Sequence, residues 1–147
     1  MISTTIDQEI KTAMLAKDSA SLRGLRAIKA ALLVAKTEKD AAELNEEGEL
    51  KILQKLIKQR NESADIYRSQ NRVDLYQVEA EEMEVISRFL PKQMERDEIE
   101  STISKIISES EATSIKDMGK VMGLANKQLV GKADGKLISE IVKEKLG

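Results

Sequence analysis

The residues of this chain best suited to chemistry are lysines and glycines toward its C-terminal end. The sequence contains no cysteine and no histidine. This excludes disulfides, thiolate nucleophiles, Cys/His zinc sites and catalysis by a Ser–His or Cys–His pair. We therefore predict no catalytic residue and no cofactor, and we expect the chemistry of binding instead.

Residues 131–136, Gly-Lys-Ala-Asp-Gly-Lys, form the most informative segment. It is not a nucleotide-binding P-loop, because its glycines are four apart, a leucine follows its second lysine and a helical pattern precedes it. Gly131 can end one helix in a left-handed conformation, and Asp134 can cap the next helix, which Gly135 would begin. A tight helix–helix turn is one interpretation. A phosphate site is the other, since Lys132 and Lys136 flank a helix N-terminus with free N–H groups.

Two further lysines lie on the preceding helix. Lys120 and Lys127 are seven residues apart and so share one face of it. Together with Lys132 and Lys136 they could follow a phosphate backbone. Because no aromatic residue lies among them, any RNA contact is expected to be to backbone and shape rather than to stacked bases.

Gly119 and Gly123 lie four residues apart within the same helical pattern. Each glycine in a helix interior costs roughly 1 kcal/mol relative to alanine. Close helix–helix contact within the bundle would offset this cost, and so would a smooth surface for the backbone of a partner protein or RNA. The sequence leaves both interpretations open.

The elements that must position these residues are all helical. Hydrophobic residues make up 41% of the chain and aromatic residues only 2%, and a core of Leu, Ile, Val, Met and Ala suits helix packing. Apolar residues recur at helical spacing, with Met14 and Val73 among those expected to face inward. Helices are predicted at about residues 5–17, 19–40, 47–70, 73–90 and 97–109, then from 114 and over 134–146.

Two of these helix starts carry capping-box patterns. Thr5 and Gln8 fit such a box at the first helix, and Ser114 and Asp117 fit an acidic version at the sixth. Pro91 is the only proline and should end the fourth helix, because it disfavours helical geometry at Leu90. We predict an all-α, multihelical protein, with a four-helix domain over residues 1–94 and a three-helix bundle over residues 95–147.

Charge is distributed unevenly along the chain. The formal net charge is −2, yet residues 115–147 contain seven lysines and four acidic residues. The C-terminal domain is therefore the basic end. Another possible basic edge is formed by Arg23, Arg26 and Lys29, for which salt bridges to neighbouring acids are the commoner outcome.

The acidic runs at residues 43–49 and 79–84 could be considered metal clusters. Glu79, Glu82 and Glu84 do not share one helical face, so solvated helix surface is expected and no metal site is predicted. No uncharged run exceeds six residues, so no membrane span is expected. The N-terminus lacks a basic region followed by an apolar one, and a cytoplasmic protein is the expectation.

Residues 116–123, Lys-Asp-Met-Gly-Lys-Val-Met-Gly, together with residues 131–136 resemble the signature of a tail module. That module belongs to the B subunit of tRNA-dependent amidotransferases. The whole chain resembles the YqeY family, on residues 22–26 (Leu-Arg-Gly-Leu-Arg), 58–63 (Lys-Gln-Arg-Asn-Glu-Ser) and 89–94 (Phe-Leu-Pro-Lys-Gln-Met).

The resemblance implies a helical N-terminal domain and a three-helix C-terminal domain. In the amidotransferase, the tail module helps to hold tRNA while a misacylated residue is amidated. Residues 124–130 are less basic here than in that module, and the parts that activate and amidate the substrate are absent. Kinship to carbon–nitrogen ligases with glutamine as amido-N-donor is therefore implied, rather than activity of this chain alone.

The leading hypothesis is a non-catalytic helical module that binds tRNA, or a tRNA-handling complex, through its basic C-terminal face. One rival is a protein–protein adaptor that docks a partner in tRNA aminoacylation or amidation on its glycine surface. The other is an accessory subunit that contributes to glutamine-dependent amide transfer only within a complex.

Overall fold

The computed structural model describes residues 1–38 and 44–147, and every regular element within them is helical. The predicted all-α class is confirmed. The chain divides into two compact units, an N-terminal unit of Met1–Pro91 and a C-terminal unit of Lys92–Gly147. No helix in the described part of the chain has both the length and the apolarity that crossing a membrane requires.

The N-terminal unit contains α1 (Ile2–Leu15), α2 (Ser19–Thr37), α3 (Glu46–Ser69) and α4 (Val73–Ser87). Asp18 begins α2 and Asn45 begins α3, because each side chain accepts a backbone N–H of the first turn. The four helices bury a common aliphatic core, which comprises Ile6, Ala13, Leu25, Ile28, Leu32, Leu53, Val85 and Ile86.

Gly24 allows α2 and α4 to approach each other closely. A Cβ atom at this position would lie 2.7 Å from both Cβ and Cγ1 of Val85. Two carbon atoms cannot come so near, so any larger residue would push the helices apart. In the sequence, Gly24 stood out only as part of the resemblance to the YqeY family.

Glu49, in the first turn of α3, is fully buried. Its two carboxylate oxygens accept the backbone N–H groups of Ile2 and Ser3, each at 2.9 Å. The first N–H groups of a helix have no partner inside the helix and form the positive end of its dipole, so a carboxylate suits them well. Glu49 therefore caps α1 from another helix.

This long-range cap explains why the capping box predicted at Thr5 and Gln8 is wrong. The helix α1 begins at Ile2, and the Thr5 hydroxyl lies within it, donating to the carbonyl oxygen of Ile2 at 3.3 Å. Two predicted core positions of the N-terminal unit are also wrong, because 54% of Met14 and 73% of Val73 are exposed. Met14 is next to the last residue of α1, and Val73 is the first residue of α4.

The predicted helix ends differ from the structure by a few residues. The helix α2 ends at Thr37, and residues 39–43, which include the predicted end at Asp40, lie outside the described part. The helix α4 ends at Ser87 rather than Leu90. After Ser87 the chain continues in a tighter turn, in which the N–H groups of Phe89 and Leu90 each donate a hydrogen bond to the carbonyl oxygen three residues earlier.

The C-terminal unit contains α5 (Arg96–Ser110), a 3₁₀ turn (Ile115–Asp117), α6 (Met118–Leu129) and α7 (Gly135–Leu146). Its own core is aliphatic throughout, comprising Ile99, Ile103, Ile106, Val121, Ala125, Leu129, Ala133, Ile138, Ile141, Val142 and Leu146. The unit therefore has what an independently folding domain requires.

Replacing Glu49 with glutamine should destabilise the protein. The amide keeps one acceptor oxygen but turns an NH₂ group toward a buried N–H donor, so the free energy of unfolding should fall by about 1–3 kcal/mol. Urea unfolding followed by circular dichroism would measure this. Glu47→Gln is the matched control, since its exposed carboxylate pairs with Lys51 on the helix surface at 3.3 Å. Equal losses in the two variants would contradict the cap.

A fragment of residues 92–147 should fold alone, with a helical circular dichroism spectrum and a cooperative melt. Gln93 and Met94 donate hydrogen bonds to the carbonyl oxygens of Gly131 and Lys132, at 2.7 and 2.9 Å. A shorter fragment of residues 95–147 lacks both bonds and should melt at a lower temperature. A disordered longer fragment would refute independent folding.

Candidate functional site

One side of α6 forms an exposed surface of glycine and lysine. The helix buries Val121, Ala125 and Leu129, and its 3.6-residue turn places the opposite residues toward solvent. Those residues are Gly119, Lys120, Gly123 and Lys127, all of them exposed, and we call them the α6 face. No acidic residue occurs between Asp117 and Asp134. The α6 face is therefore basic, and the acidic residue of α6 that interacts with it is Asp117, the N-cap, whose charge interacts with Lys120.

The glycines of the α6 face make no close packing contact with the part of the chain that the structure describes. A Cβ atom added at Gly119 or Gly123 would meet no atom of the described residues within 4 Å. The interpretation of these glycines as close helix–helix contacts within the bundle is thus wrong. The two glycines together weaken α6 by roughly 2 kcal/mol relative to alanine, and no packing at these two positions offsets this loss among the described residues.

The two lysines of the α6 face differ in their surroundings. The Lys120 ammonium donates to the carbonyl oxygen of Ser110, the last residue of α5, at 3.2 Å. A cation near a helix C-terminus is stabilised by the helix dipole, so this contact anchors the side chain. Lys127 is exposed and lies two turns further along α6, about 10 Å from Lys120 along the axis.

Lys132 and Lys136 lie away from α6, so the four predicted lysines fall in two places. Lys132 is in the α6–α7 turn and Lys136 in the first turn of α7, and both are exposed. The turn itself is well defined. Gly131 has a φ of 75°, as predicted for a left-handed helix end, and the hydrogen bonds from Gln93 and Met94 hold the carbonyl groups of Gly131 and Lys132.

Asp134 caps α7, as predicted from the sequence. Its Oδ1 atom accepts the N–H of Lys136 at 3.4 Å, and α7 then begins at Gly135. The carboxylate occupies the helix start, where an anion would otherwise be attracted, and its charge repels phosphate. The structure therefore disfavours the start of α7 as a phosphate site. Lys132 and Lys136 can contribute only as exposed point charges beside it.

The predicted capping box of Ser114 and Asp117 is confirmed at the 3₁₀ turn that leads into α6. The Ser114 hydroxyl oxygen accepts the N–H of Lys116 at 3.3 Å. The Asp117 carboxylate accepts the N–H groups of Thr113 and Ser114, at 2.9 and 3.3 Å. These two hydrogen bonds stabilise the charged form and lower the pKa of Asp117 below its usual range.

Two of the three residues of the predicted basic edge on α2 are engaged in ion pairs, as the sequence favoured. Arg23 contacts Glu81 of α4 at 2.6 Å, and Lys29 contacts Asp7 of α1 at 2.6 Å. The charges of Arg23 and Lys29 are therefore largely balanced, while Arg26 is exposed. A pair that sequence analysis missed joins α3 to α4, since Arg60 donates to Glu82 at 3.2 Å and both side chains are largely buried. Its only sequence signal was that Arg60 belongs to a YqeY-like segment.

The acidic runs form no metal site in the part of the chain that the structure describes. Glu43, at the start of the first run, lies outside that part. In the second run, burial raises the pKa of Glu79, the neighbouring charge of Glu82 raises it further, and Arg60 opposes this shift. The cause is the packing of α4 against α3, so this shift does not mark a catalytic acid.

Asp117→Asn should make the free energy of unfolding less dependent on pH. The folded-state pKa of Asp117 is lowered, so its contribution to stability is complete above the usual carboxyl pKa of about 4 and is lost as pH falls through the folded-state pKa. Urea midpoints measured from neutral to acidic pH should therefore decline less in the variant. Glu140→Gln, at an exposed position of α7, is the control. Parallel declines for Asp117→Asn and the parent protein would contradict the assignment.

Comparison with known proteins identifies the family. The family model described as Yqey-like protein matches residues 3–146. Altered inheritance of mitochondria protein 41, mitochondrial, from Meyerozyma guilliermondii is 40% identical over 86 residues. That match covers 58% of this chain but only 44% of the relative, so the chain corresponds to less than half of that protein. The relative's name places it in mitochondria, and a cytoplasmic location for this chain stays a prediction. The chain belongs to the YqeY-like family.

Proposed function

We propose that this protein is a non-catalytic binding module whose C-terminal unit holds the phosphate backbone of a structured RNA, with tRNA as that RNA. The observation that carries the proposal is the α6 face, where glycine and lysine are exposed together and no acidic residue of the helix intervenes. The similarity of residues 116–123 and 131–136 to the amidotransferase tail module favours tRNA over other RNAs.

The chemistry of the α6 face suits phosphate rather than bases. Lysine carries a compact charge on a flexible chain, which attracts phosphate oxygens but reads no base sequence. The missing side chains at Gly119 and Gly123 let a bulky sugar–phosphate backbone come close to α6 between Lys120 and Lys127. The C-terminal unit contains no aromatic residue on which a base could stack.

The absence of histidine and cysteine favours binding over catalysis. The shifted carboxyl pKa values also have structural causes: helix caps for Asp18 and Asp117, an ion pair for Asp74, and burial for Glu79. The protein would therefore hold RNA for another component to act on. Recognition of shape and charge alone should give similar affinity for different tRNAs.

A protein–protein adaptor is the second candidate, and one specific observation favours it. Leu124 lies beside Gly123 on α6 with 38% of its surface exposed. An exposed leucine next to two glycines resembles a contact for a partner helix as much as a contact for RNA. The partner would then be a protein of tRNA aminoacylation or amidation, and its binding would depend weakly on salt.

Replacing Lys120, Lys127, Lys132 and Lys136 together by alanine should weaken binding to different tRNAs about equally. The slope of log affinity against log salt should flatten by roughly 0.7–0.9 for each phosphate interaction that the substitutions remove. Fluorescence anisotropy with labelled tRNA would measure both effects. The matched control replaces four exposed lysines of the N-terminal unit, Lys11, Lys36, Lys55 and Lys58, and so removes the same charge. Equal affinities of the two variants would refute this face as the RNA site.

Gly123→Ala separates a role in binding from a role in folding. The added Cβ meets no atom of the described residues, so helix propensity should raise the free energy of unfolding by up to about 1 kcal/mol. If a partner backbone approaches α6 at this position, binding should weaken even though the fold is more stable. Gly135→Ala, equally open but at the start of α7, is the control. Unchanged binding of both tRNA and protein partners would leave Gly123 without a role in either candidate function.

A further inference from the structure

A groove of about 400 Å³ runs between the C-terminal end of α5 and the exposed flank of α6. Ile106 and Leu124 give it an apolar floor, and Glu109 and Glu111 stand at its α5 side. Ile106 is buried, whereas Leu124 is partly open to solvent. The groove lies wholly within the C-terminal unit and shares Lys120 with the α6 face.

The electrostatics of this groove are unusual for a helix end. The last turn of a helix carries negative partial charge and normally favours a basic residue. The last turn of α5 has no basic residue and instead carries Glu109, with Glu111 as its C-cap. Lys105 lies 3.9 Å from Glu109, but both side chains are mostly exposed, so this contact neutralises little. The helix end thus concentrates negative charge that its own sequence leaves largely uncompensated.

One ammonium group is already bound at this helix end. The Lys120 ammonium, from α6, donates to the Ser110 carbonyl oxygen at 3.2 Å. This intramolecular contact shows that a cationic group fits at this helix end. A single ammonium faces two carboxylates and the negative end of the α5 dipole, so negative charge remains beside the apolar floor.

We propose that this groove binds an arginine side chain of a partner polypeptide, with a leucine-like neighbour seated on Ile106 and Leu124. Arginine fits better than lysine, because its planar group packs on apolar surface while its five N–H donors reach several acceptors at once. The acceptors here are the carboxylates of Glu109 and Glu111 and the carbonyl of Ser110. The partner is therefore a basic, amphipathic segment of a protein.

Lys120 occupies one of these acceptors, so it competes with the incoming guanidinium. Removing its ammonium leaves the Ser110 carbonyl free and makes the groove more negative. Lys120→Ala should accordingly strengthen arginine binding by about two- to fivefold, which is the range expected for one exposed charge. In the proposed RNA function the same substitution weakens binding, so the two ideas predict effects of opposite sign and can fail independently.

Titration of the full-length protein with a blocked leucine–arginine–leucine peptide tests the inference, with backbone amide shifts followed by nuclear magnetic resonance. Saturable shifts are expected at Glu111, Leu124 and Gln128, which lines the same groove. The same peptide with citrulline in place of arginine keeps the shape but removes the charge, and should bind several-fold more weakly.

Two variants complete the test. The double variant Glu109→Gln/Glu111→Gln should bind the arginine peptide about fivefold or more weakly, as expected for the loss of two exposed charges. The variant should remain folded, because both side chains are exposed and their charges oppose the α5 dipole. Glu140→Gln on α7 should leave its affinity unchanged. Equal binding of the citrulline peptide, weaker binding to Lys120→Ala, or no saturable shift at the groove in either the parent or Lys120→Ala would each overturn the proposal.

Discussion

The candidate surface depends on the burial of three residues of α6. A helix of 12 residues is marginal in isolation, and the two exposed glycines weaken it by roughly 2 kcal/mol more. Val121, Ala125 and Leu129 are almost fully buried, and burying a valine or leucine side chain contributes about 1.5–3 kcal/mol each. The burial on one side therefore outweighs the glycines on the other. The fold can therefore hold α6 in place even though the exposed side of the helix carries only glycines and lysines on the α6 face.

The N-terminal unit uses its charged residues differently. The Glu49 carboxylate is fully buried on the start of α1, and Arg60 and Glu82 form a largely buried pair between α3 and α4. Removing one partner from such a contact leaves an unsatisfied group and costs more than the contact itself contributes. These charges therefore fix the helices relative to one another. The exposed lysines proposed to contact RNA have no comparable buried contact among the described residues, although Lys120 donates to the Ser110 carbonyl oxygen.

Local features of this fold were predictable from sequence, whereas contacts between distant residues were not. The capping box at Ser114, the cap at Asp134 and the left-handed Gly131 each need only neighbouring residues, and all three are confirmed. The box predicted at Thr5 fails because Glu49, far along the chain, satisfies the first N–H groups of an earlier helix start. No local pattern contains that information.

The glycines also show that contacts between helices are not predictable from local spacing. Gly24 has close atomic neighbours, while Gly119 and Gly123 have none among the described residues. Spacing alone left helix contact open as one interpretation of Gly119 and Gly123, and it predicted no contact for Gly24. A glycine's neighbours depend on which side of its helix faces the core. That side is settled by the whole apolar stripe, and on α6 the stripe runs through Val121 and Ala125 instead.

Lys120 belongs to both proposed surfaces, and this couples them physically. Its ammonium now stabilises the C-terminal end of α5 through the Ser110 carbonyl, a contact of about 1 kcal/mol for a partly exposed group. A phosphate oxygen binds an ammonium more strongly than a carbonyl oxygen does, because both partners of the hydrogen bond are then charged. An RNA that drew Lys120 away would leave the groove more negative and so more receptive to a guanidinium. Linkage then requires the converse, that a bound arginine raises the affinity for RNA by the same factor.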